Sequence, residues 1–394
     1  MKKIIIAGGG YAEIPIIEAA KKQGFFVITT SNNPNKKGHQ VSDLYEYGDY
    51  SNFDDMLHIA KKHNVVAICP GCTDFSAIST AYVAEKLKLP GHDTIENTLI
   101  MHHKDKFREF CMSHNLSVPR AKSFSNIEDA YLYKPDFHFP IIVKPIDLAG
   151  GRGISVIHSI DEYESSVRIA FEKSVSKKIV VEEYIKGTNH GFSTIIQNGK
   201  VIFYFADNEY YLPNEYWVCG TSTPSSLSSD EIRQLIDFTE KTAKLLDLCD
   251  GLFHIQCIAK DGKIYIIEIC RRIPGELYVK FVEFATHSNY ADMIIHGFCG
   301  QKITLSPEIK QKPDCFARHC ISAKRTGVLQ KVEFDQNIEQ YIVEQYKLMD
   351  SELVIQNPAM QKPYILFMKF DSYNTMIQQS NNLYKNITFH FNSI

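Results

Sequence analysis

Residues 1–95 alternate short apolar runs, at 3–6, 25–30 and 65–68, with helix-period segments at 14–23, 53–63 and 75–87, and no other feature constrains the fold so tightly. Strands separated by helices must cross over to pair, which produces a parallel sheet with helices on its faces. A Rossmann-like opening domain is expected. Three glycines, Gly8, Gly9 and Gly10, follow the first run and suggest a nucleotide loop. The dinucleotide fingerprint, however, needs a third spaced glycine where the helix opens and an acid about 20 residues on for the ribose. Position 13 is Glu13, and the second strand ends in Thr29, Thr30 and Ser31. No Gly-x-x-x-x-Gly-Lys-Ser/Thr loop occurs either. The glycines are read as a tight turn from strand to helix, and the nucleotide is expected elsewhere.

With 394 residues, 44% of them hydrophobic and 23% charged, the chain can fill two or three domain cores. A net charge of −3 leaves no basic surplus for nucleic acid, so phosphate recognition should be local and the partners small molecules. The apolar run behind Lys2 and Lys3 is too short for a signal peptide, and no stretch reaches the ~18 apolar residues of a membrane span. A cytoplasmic protein is expected. The ten cysteines are scattered through apolar runs, as reduced buried thiols are. Cys69-Pro-Gly-Cys72 has redox or half-zinc spacing but follows a strand and has no matching second pair, so it is read as a structural turn.

Beyond residue 98 the pattern changes to α+β. A helix is expected over 104–114, a strand over 139–145, a glycine loop over 147–153, a returning strand over 154–158, a helix over 161–173 and a strand over 178–185. Ser228-Ser-Asp-Glu231 is a capping box opening a helix to about residue 246. Segments 252–259 and 263–270 form a hairpin around Asp261-Gly262. After residue 307 the pattern weakens, though strands at 364–370 and 387–391 flank a helix at 373–383. The expected organisation is 1–98, then 99–310 as two lobes (115–186 and 187–310), then 311–394 as the end of the large lobe or a small terminal subdomain.

Two constellations carry chemistry. Lys144 ends a strand just before Gly150, Gly151, Arg152 and Gly153, so backbone N–H groups can fold over a polyphosphate while the ammonium neutralises it. Taken alone, a solvated glycine loop is an equal reading. Gln256 and Glu268 lie on the two strands of the hairpin, with Cys270, Arg271 and Arg272 following. A two-residue turn would put Gln256 and Glu268 on opposite faces. A three-residue loop with a bulge at Gly262 is therefore predicted, bringing His254, Gln256, Glu268 and Cys270 onto one face. An acid beside an amide, flanked by arginines, suits a hard cation together with phosphate oxygens. Trp217, Tyr210, Tyr211 and Tyr216 could line a substrate pocket, but aromatic clusters are usually core and they are left out of the site.

Taken together these motifs resemble the ATP-grasp superfamily over most of the chain: a Rossmann-like preceding domain, then two lobes that clasp ATP. The resemblance implies that IIVK at 141–144 and its glycine loop form the phosphate lid. Lys106 would be the earlier phosphate lysine, and VEEYI at 181–185 the hinge (Glu182, Glu183, Tyr184, Ile185) whose backbone reads adenine. His190 falls where the biotin carboxylase branch has a ribose-contacting histidine, and a satisfied surface histidine is the other reading. The hairpin is similar to the carbamoyl phosphate synthetase pattern of Gln, Glu, then Asn, with Cys270 in the asparagine's place. Sulfur is a poor ligand for magnesium.

By this resemblance the chain is an ATP-dependent ligase using magnesium, with manganese as a substitute, and often dimeric in its relatives. It would convert a small carboxylate to an acyl phosphate and join it to an amine. Gln256 and Glu268 would hold the metal, Lys106, Lys144 and the glycine lid the phosphates, and Arg272 the phosphate or the tetrahedral oxyanion. Arg271 is read as structural. The rivals are a bicarbonate-phosphorylating carboxylase or carbamoyl-phosphate-type enzyme, an ATP-binding protein with a decayed site, and, more distantly, a nicotinamide dehydrogenase.

Overall fold

The structure, a computed structural model, describes residues 1–133, 135, 138–148, 153–212, 217–310, 312–349, 352–358 and 361–392. The chain opens with β1 (Lys3–Ala7), α1 (Ile14–Lys22), β2 (Phe26–Ser31), β3 (Leu44–Tyr47), α2 (Phe53–His63), β4 (Ala67–Pro70) and α3 (Asp74–Leu87). The four strands are parallel in the order β3-β2-β1-β4. Continuous apolar strands such as Ile4, Ile5 and Ile6 are buried on both faces, as a helix-covered parallel sheet requires. Helix α2 shows how local chemistry sets the boundaries. The Asn52 side chain accepts from the Asp54 and Asp55 N–H groups, Lys61 to His63 complement the carbonyl end, and Asn64 closes it in the left-handed region at φ 50°.

Position 13 accounts for the glycines. Glu13 is buried, and its Oε1 accepts from both the N–H and the thiol of Cys72 at 3.1 Å. A Cβ on Gly8 would stand 2.6 Å from that oxygen. The turn is glycine so that a carboxylate can fill the space, and a carboxylate there repels phosphate.

Helices α4 (Ile95–His102) and α5 (Lys104–Ser113) lead to a four-stranded antiparallel sheet ordered β5-β8-β6-β7, made of β5 (Ala121–Phe124), β6 (Ile141–Pro145), β7 (Ser155–Ile157) and β8 (Ile179–Glu183). Helices α6 (Ile127–Leu132) and α7 (Tyr163–Lys173) cover one face, and Ile141, Val143, Ile179, Val181, Val167 and Ala170 form its core. Then come β9 (Thr188–Gln197), β10 (Lys200–Tyr211), β11 (Val218–Thr223), α8 (Ser229–Leu245), β12 (Gly251–Lys260) and β13 (Lys263–Cys270). Both halves of the predicted capping box at Ser228 and Glu231 are present.

The chain divides into two compact units. The first comprises 1–204, 227–273 and 292–303, and the second 205–226, 274–291 and 304–394. In the first, β12 pairs with β9 on one side and β13 on the other. In the second, the end of β10 begins the order β10-β11-β14-β18-β16, with β14 (Phe316–Ile321), β16 (Ile342–Lys347) and β18 (Tyr364–Lys369). There β15 (Gly327–Phe334) pairs with β17 (Leu353–Ile355) and β19 (Ile387–Phe391), over a core that includes Leu329, Ile338, Leu366 and Met376. The fold class is the expected one, a parallel α/β part followed by antiparallel α+β parts.

Candidate functional site

Alternation along β6 sorts its side chains. Ile141 and Val143 enter the lobe core, so Ile142 and Lys144 point to the opposite face, as does Glu182, which β8 sets across from Ile142. Lys144 Nζ lies 2.5 Å from Glu182 Oε2, and both side chains are almost wholly enclosed. Arg108, on α5 and also buried, donates from Nε to Glu182 Oε1 at 2.8 Å. Burial pushes Glu182 toward its neutral form, but Arg108 and Lys144 outweigh it and hold the carboxyl below its usual range. Burial draws Lys144 down from its ordinary value against the pull of Glu182. Two cations thus share one carboxylate in a sealed space, and among the described residues Arg108 Nη1 has no hydrogen-bond partner.

The hairpin arrives at the expected register by an unexpected route. Gln256 opposes Glu268 and His254 opposes Cys270, as predicted. The loop, however, has two residues, because Lys260 pairs directly with Lys263 and both Asp261 (φ 51°) and Gly262 (φ 75°) are left-handed. That is the mirror-image turn that matches strand twist, and Asp-Gly favours it over the three-residue loop. The odd residue is absorbed inside the strands: Ile266 pairs with Cys257 and Glu268 with Gln256, leaving Ile267 as a bulge. Its carbonyl accepts from Arg108 Nη2 at 2.8 Å. One arginine therefore ties the Lys144–Glu182 pair to the strand that carries Glu268.

The arginines after β13 separate by function. Arg271 spends every group internally: Nε on Asp93 (2.9 Å), Nη1 on the Leu252 carbonyl (2.7 Å) and Nη2 on that of Cys249 (2.6 Å). It is structural, as expected. Arg272 donates from Nε to Asp74 Oδ1 at 3.0 Å and from Nη1 to the Ile273 carbonyl at 3.2 Å. His102 Nδ1 also reaches Asp74 Oδ1 at 3.0 Å. Burial opposes ionisation of Asp74, yet Arg272 and His102 keep its carboxyl well below the usual range.

Other predicted residues fall as follows. Lys106 stands exposed on the first turn of α5, while Lys104, four residues before Arg108 and on its face of the helix, places Nζ 3.2 Å from the Leu148 carbonyl beside the glycine loop. Lys104 is thus the lysine of this helix that reaches the loop. Gly150 and Gly151, with Arg152, lie outside the described residues. Gly153 has φ 73°, and a Cβ there would stand 2.8 Å from Pro145 Cγ. Glu182 directs its carboxylate to the cluster, whereas Glu183 is half-exposed near Arg120 (3.5 Å) and Tyr184 and Ile185 follow at the strand end. His190 is buried rather than on the surface, its Nε2 2.8 Å from Thr188 Oγ1. His254 is also buried, 2.6 Å from Ser193 Oγ. Burial pushes the Cys270 thiol up to about 11, so it is protonated at neutral pH and unfit for a hard cation. Among the described residues no group of three His, Cys, Asp or Glu side chains could hold a metal alone. Sequence reasoning missed Arg108, Lys104, Asp74 and His102. Only the Lys104–Arg108 spacing was a local signal.

Comparison with known proteins agrees with this architecture. Residues 101–276 match the family model described as an ATP-grasp domain. This stretch of the chain thus matches an ATP-grasp domain. Over 289 residues it is 25% identical to the carbamoyl phosphate synthase large chain of Clostridium perfringens, a match covering 68% of this chain and 26% of the other. The chain therefore spans about a quarter of the length of that relative. The fold matches phosphoribosylglycinamide synthetase from Anaerococcus prevotii at TM-score 0.80, with 21% identity over 99% of this chain and 100% of that one. It also matches L-amino acid ligase from Bacillus licheniformis at TM-score 0.80, with 18% identity over 100% and 99%. No described helix is long and apolar enough to cross a membrane.

Proposed function

We propose that the chain is an ATP-dependent ligase that activates a small-molecule carboxylate as an acyl phosphate and condenses it with an amine, releasing ADP and phosphate. The observation that carries this reading is the Arg108 bridge, which joins the buried Lys144–Glu182 pair to β13 next to Glu268. A surplus positive charge in a sealed cluster, with an arginine nitrogen left without a partner, suits a polyphosphate. Lys144, Lys104 and Arg108 would draw charge from the phosphates, and Lys106, on a long exposed stem, would close from outside. The hinge of Glu182, Glu183, Tyr184 and Ile185 is proposed for the adenine and His190 for the ribose. The Gly150, Gly151 and Gly153 loop would cover the γ-phosphate and exclude water from the acyl phosphate.

Glu268 and Gln256, directly opposed on the hairpin, would offer a carboxylate and an amide oxygen to a magnesium or manganese ion, and no group of three His, Cys, Asp or Glu side chains among the described residues could hold it without further ligands. Bound there, the ion would neutralise charge between the phosphates. Arg272 is proposed to hold the transferring phosphate and then the tetrahedral oxyanion, where preorganised charge counts for most. By the same resemblance the protein is proposed to act in the cytoplasm, on small molecules alone, as a homodimer that sedimentation would detect. A second reading, phosphorylation of bicarbonate, is favoured by the similarity to carbamoyl phosphate synthase.

A phosphate-release screen with Mg-ATP against amino acids, other small carboxylates and bicarbonate separates these readings. Release requiring both an organic acid and an amine supports the ligase, and release with bicarbonate alone supports the second. In the same assay Lys144→Ala should weaken ATP binding at least about tenfold and Glu268→Gln should abolish magnesium-dependent turnover, costs typical of removing a phosphate or metal contact. Unchanged values would remove those residues from the site.

A further inference from the structure

The long side chain of Arg272 needs something to hold it, and three elements of the fold supply that. Asp74 is the first residue of α3, immediately after the N-capping Thr73, so its carboxylate is fixed at the end of β4. Its Oδ1 receives Arg272 Nε and His102 Nδ1, each at 3.0 Å. His102, the last residue of α4, has a fully enclosed ring, and its Nε2 accepts the Arg271 N–H at 3.4 Å. An accepting Nε2 puts the ring proton on Nδ1, the nitrogen that faces Asp74. The backbone of the neighbouring arginine thus sets the tautomer, the tautomer sets the carboxylate, and the carboxylate sets Arg272.

The contrast with Arg271 gives this arrangement its meaning. Arg271 has all of its nitrogens engaged, whereas Arg272 is held through Nε and Nη1, on different sides of its guanidinium, and its Nη2 has no partner among the described residues. Asp74 and Arg272 also keep 26% and 15% of their side-chain surface exposed, so the pair is not sealed from solvent. We propose that Asp74, oriented by His102, is the positioning residue that presents the Nη2 group of Arg272 to the transferring phosphate or the tetrahedral oxyanion. The proposal rests on the ligase reading, in which Arg272 makes that contact. An arginine already aimed pays no reorganisation when charge develops, which is how fixed donors accelerate acyl and phosphoryl transfer.

The test compares Arg272→Ala, Asp74→Asn, Asp74→Glu and the double variant Asp74→Asn/Arg272→Ala, using the full chain and the best acid and amine from the screen. Asp74→Asn should lower kcat about 10- to 100-fold, the usual loss when an orienting partner is removed, with KM for ATP unchanged. Asp74→Glu should recover part of the loss, and the double variant should be no slower than Arg272→Ala alone. ¹⁵N NMR of the wild-type protein should find His102 protonated on Nδ1. If Arg272→Ala is inactive but Asp74→Asn keeps full kcat, or if His102 is protonated on Nε2, the positioning role is overturned and the ligase reading stands. If Arg272→Ala retains full kcat, or if no acid and amine support turnover, the ligase role of Arg272 falls and the positioning role falls with it.

Discussion

The two charged clusters, around Glu182 and around Asp74, are built on opposite plans. Around Glu182, two cations share one carboxylate and no side chain keeps more than 6% of its surface exposed. Around Asp74, one arginine meets one carboxylate, a histidine steadies the pair, and 15% and 26% of the two side chains reach solvent. The first cluster is closed and has a positive surplus. The second is balanced and open. Closed charge is costly to break, because each ion has left water and depends on its partners. Open charge contributes little to stability and is available for chemistry. On the proposed ligase reading, the closed cluster would hold the ligand and the open one would act on it.

The sharpest way to break this comparison is to remove the central acid from each cluster. Glu182→Ala strands Lys144 and Arg108 and should cost about 3–5 kcal/mol, read as a large fall in the chemical-unfolding midpoint. Asp74→Ala, which leaves the enclosed His102 Nδ1 without its acceptor, should cost less, about 1–3 kcal/mol, in the same measurement. Equal losses would show that exposure does not separate the clusters.

Acid titration sharpens it next. Both carboxyls lie below their ordinary range in the folded protein. Their stabilising contribution is therefore complete above the unfolded carboxylate range near pH 4 and is lost as pH falls through it toward the lower folded values. From pH 7 to 5 these groups should leave stability unchanged. Below about pH 4 the decline should approach 1.4 kcal/mol per pH unit for each proton taken up, and Glu182→Gln and Asp74→Asn should each flatten it. A slope unaltered in Glu182→Gln would mean that this carboxyl does not titrate with folding.

The smallest effect concerns the backbone beside the closed cluster. Gly153→Ala meets both a left-handed φ and a contact 2.8 Å from Pro145 Cγ, next to Lys144, and should cost about 1–3 kcal/mol. Gly262→Ala, at φ 75° with nothing within 4 Å of its Cβ, should cost only about 1 kcal/mol. Thermal melting distinguishes them. Equal shifts would mean that Gly153 is not packed against β6.

Much of this architecture was legible because it is local. The Ser228 box, the limits of α2 and the strand–helix–strand ending at Phe391 follow from caps and periodicity within a few residues. Glu13 in place of a third glycine was also visible, and its buried carboxylate explains the turn. The hairpin was half legible: pairing Gln256 with Glu268 needs one extra residue, but a sequence does not say whether turn or strand will hold it. Asp-Gly made the turn tight, so the strand bulged. The partners of Lys144 and Arg272 were not legible. Arg108 is 159 residues from Ile267 and Asp74 is 198 from Arg272, contacts that exist only once the sheets have formed. Glu182 could be seen as part of a hinge, but not that its side chain turns to a lysine on the neighbouring strand.

The bulge at Ile267 has one more consequence. It hands Arg108 a main-chain oxygen, so the join is indifferent to which amino acid occupies position 267. A scan of side-chain replacements there should pass over it in silence, and related chains could drift freely at that position while keeping the same linkage. Only altering the arginine, or changing the number of residues in that strand, would reach it.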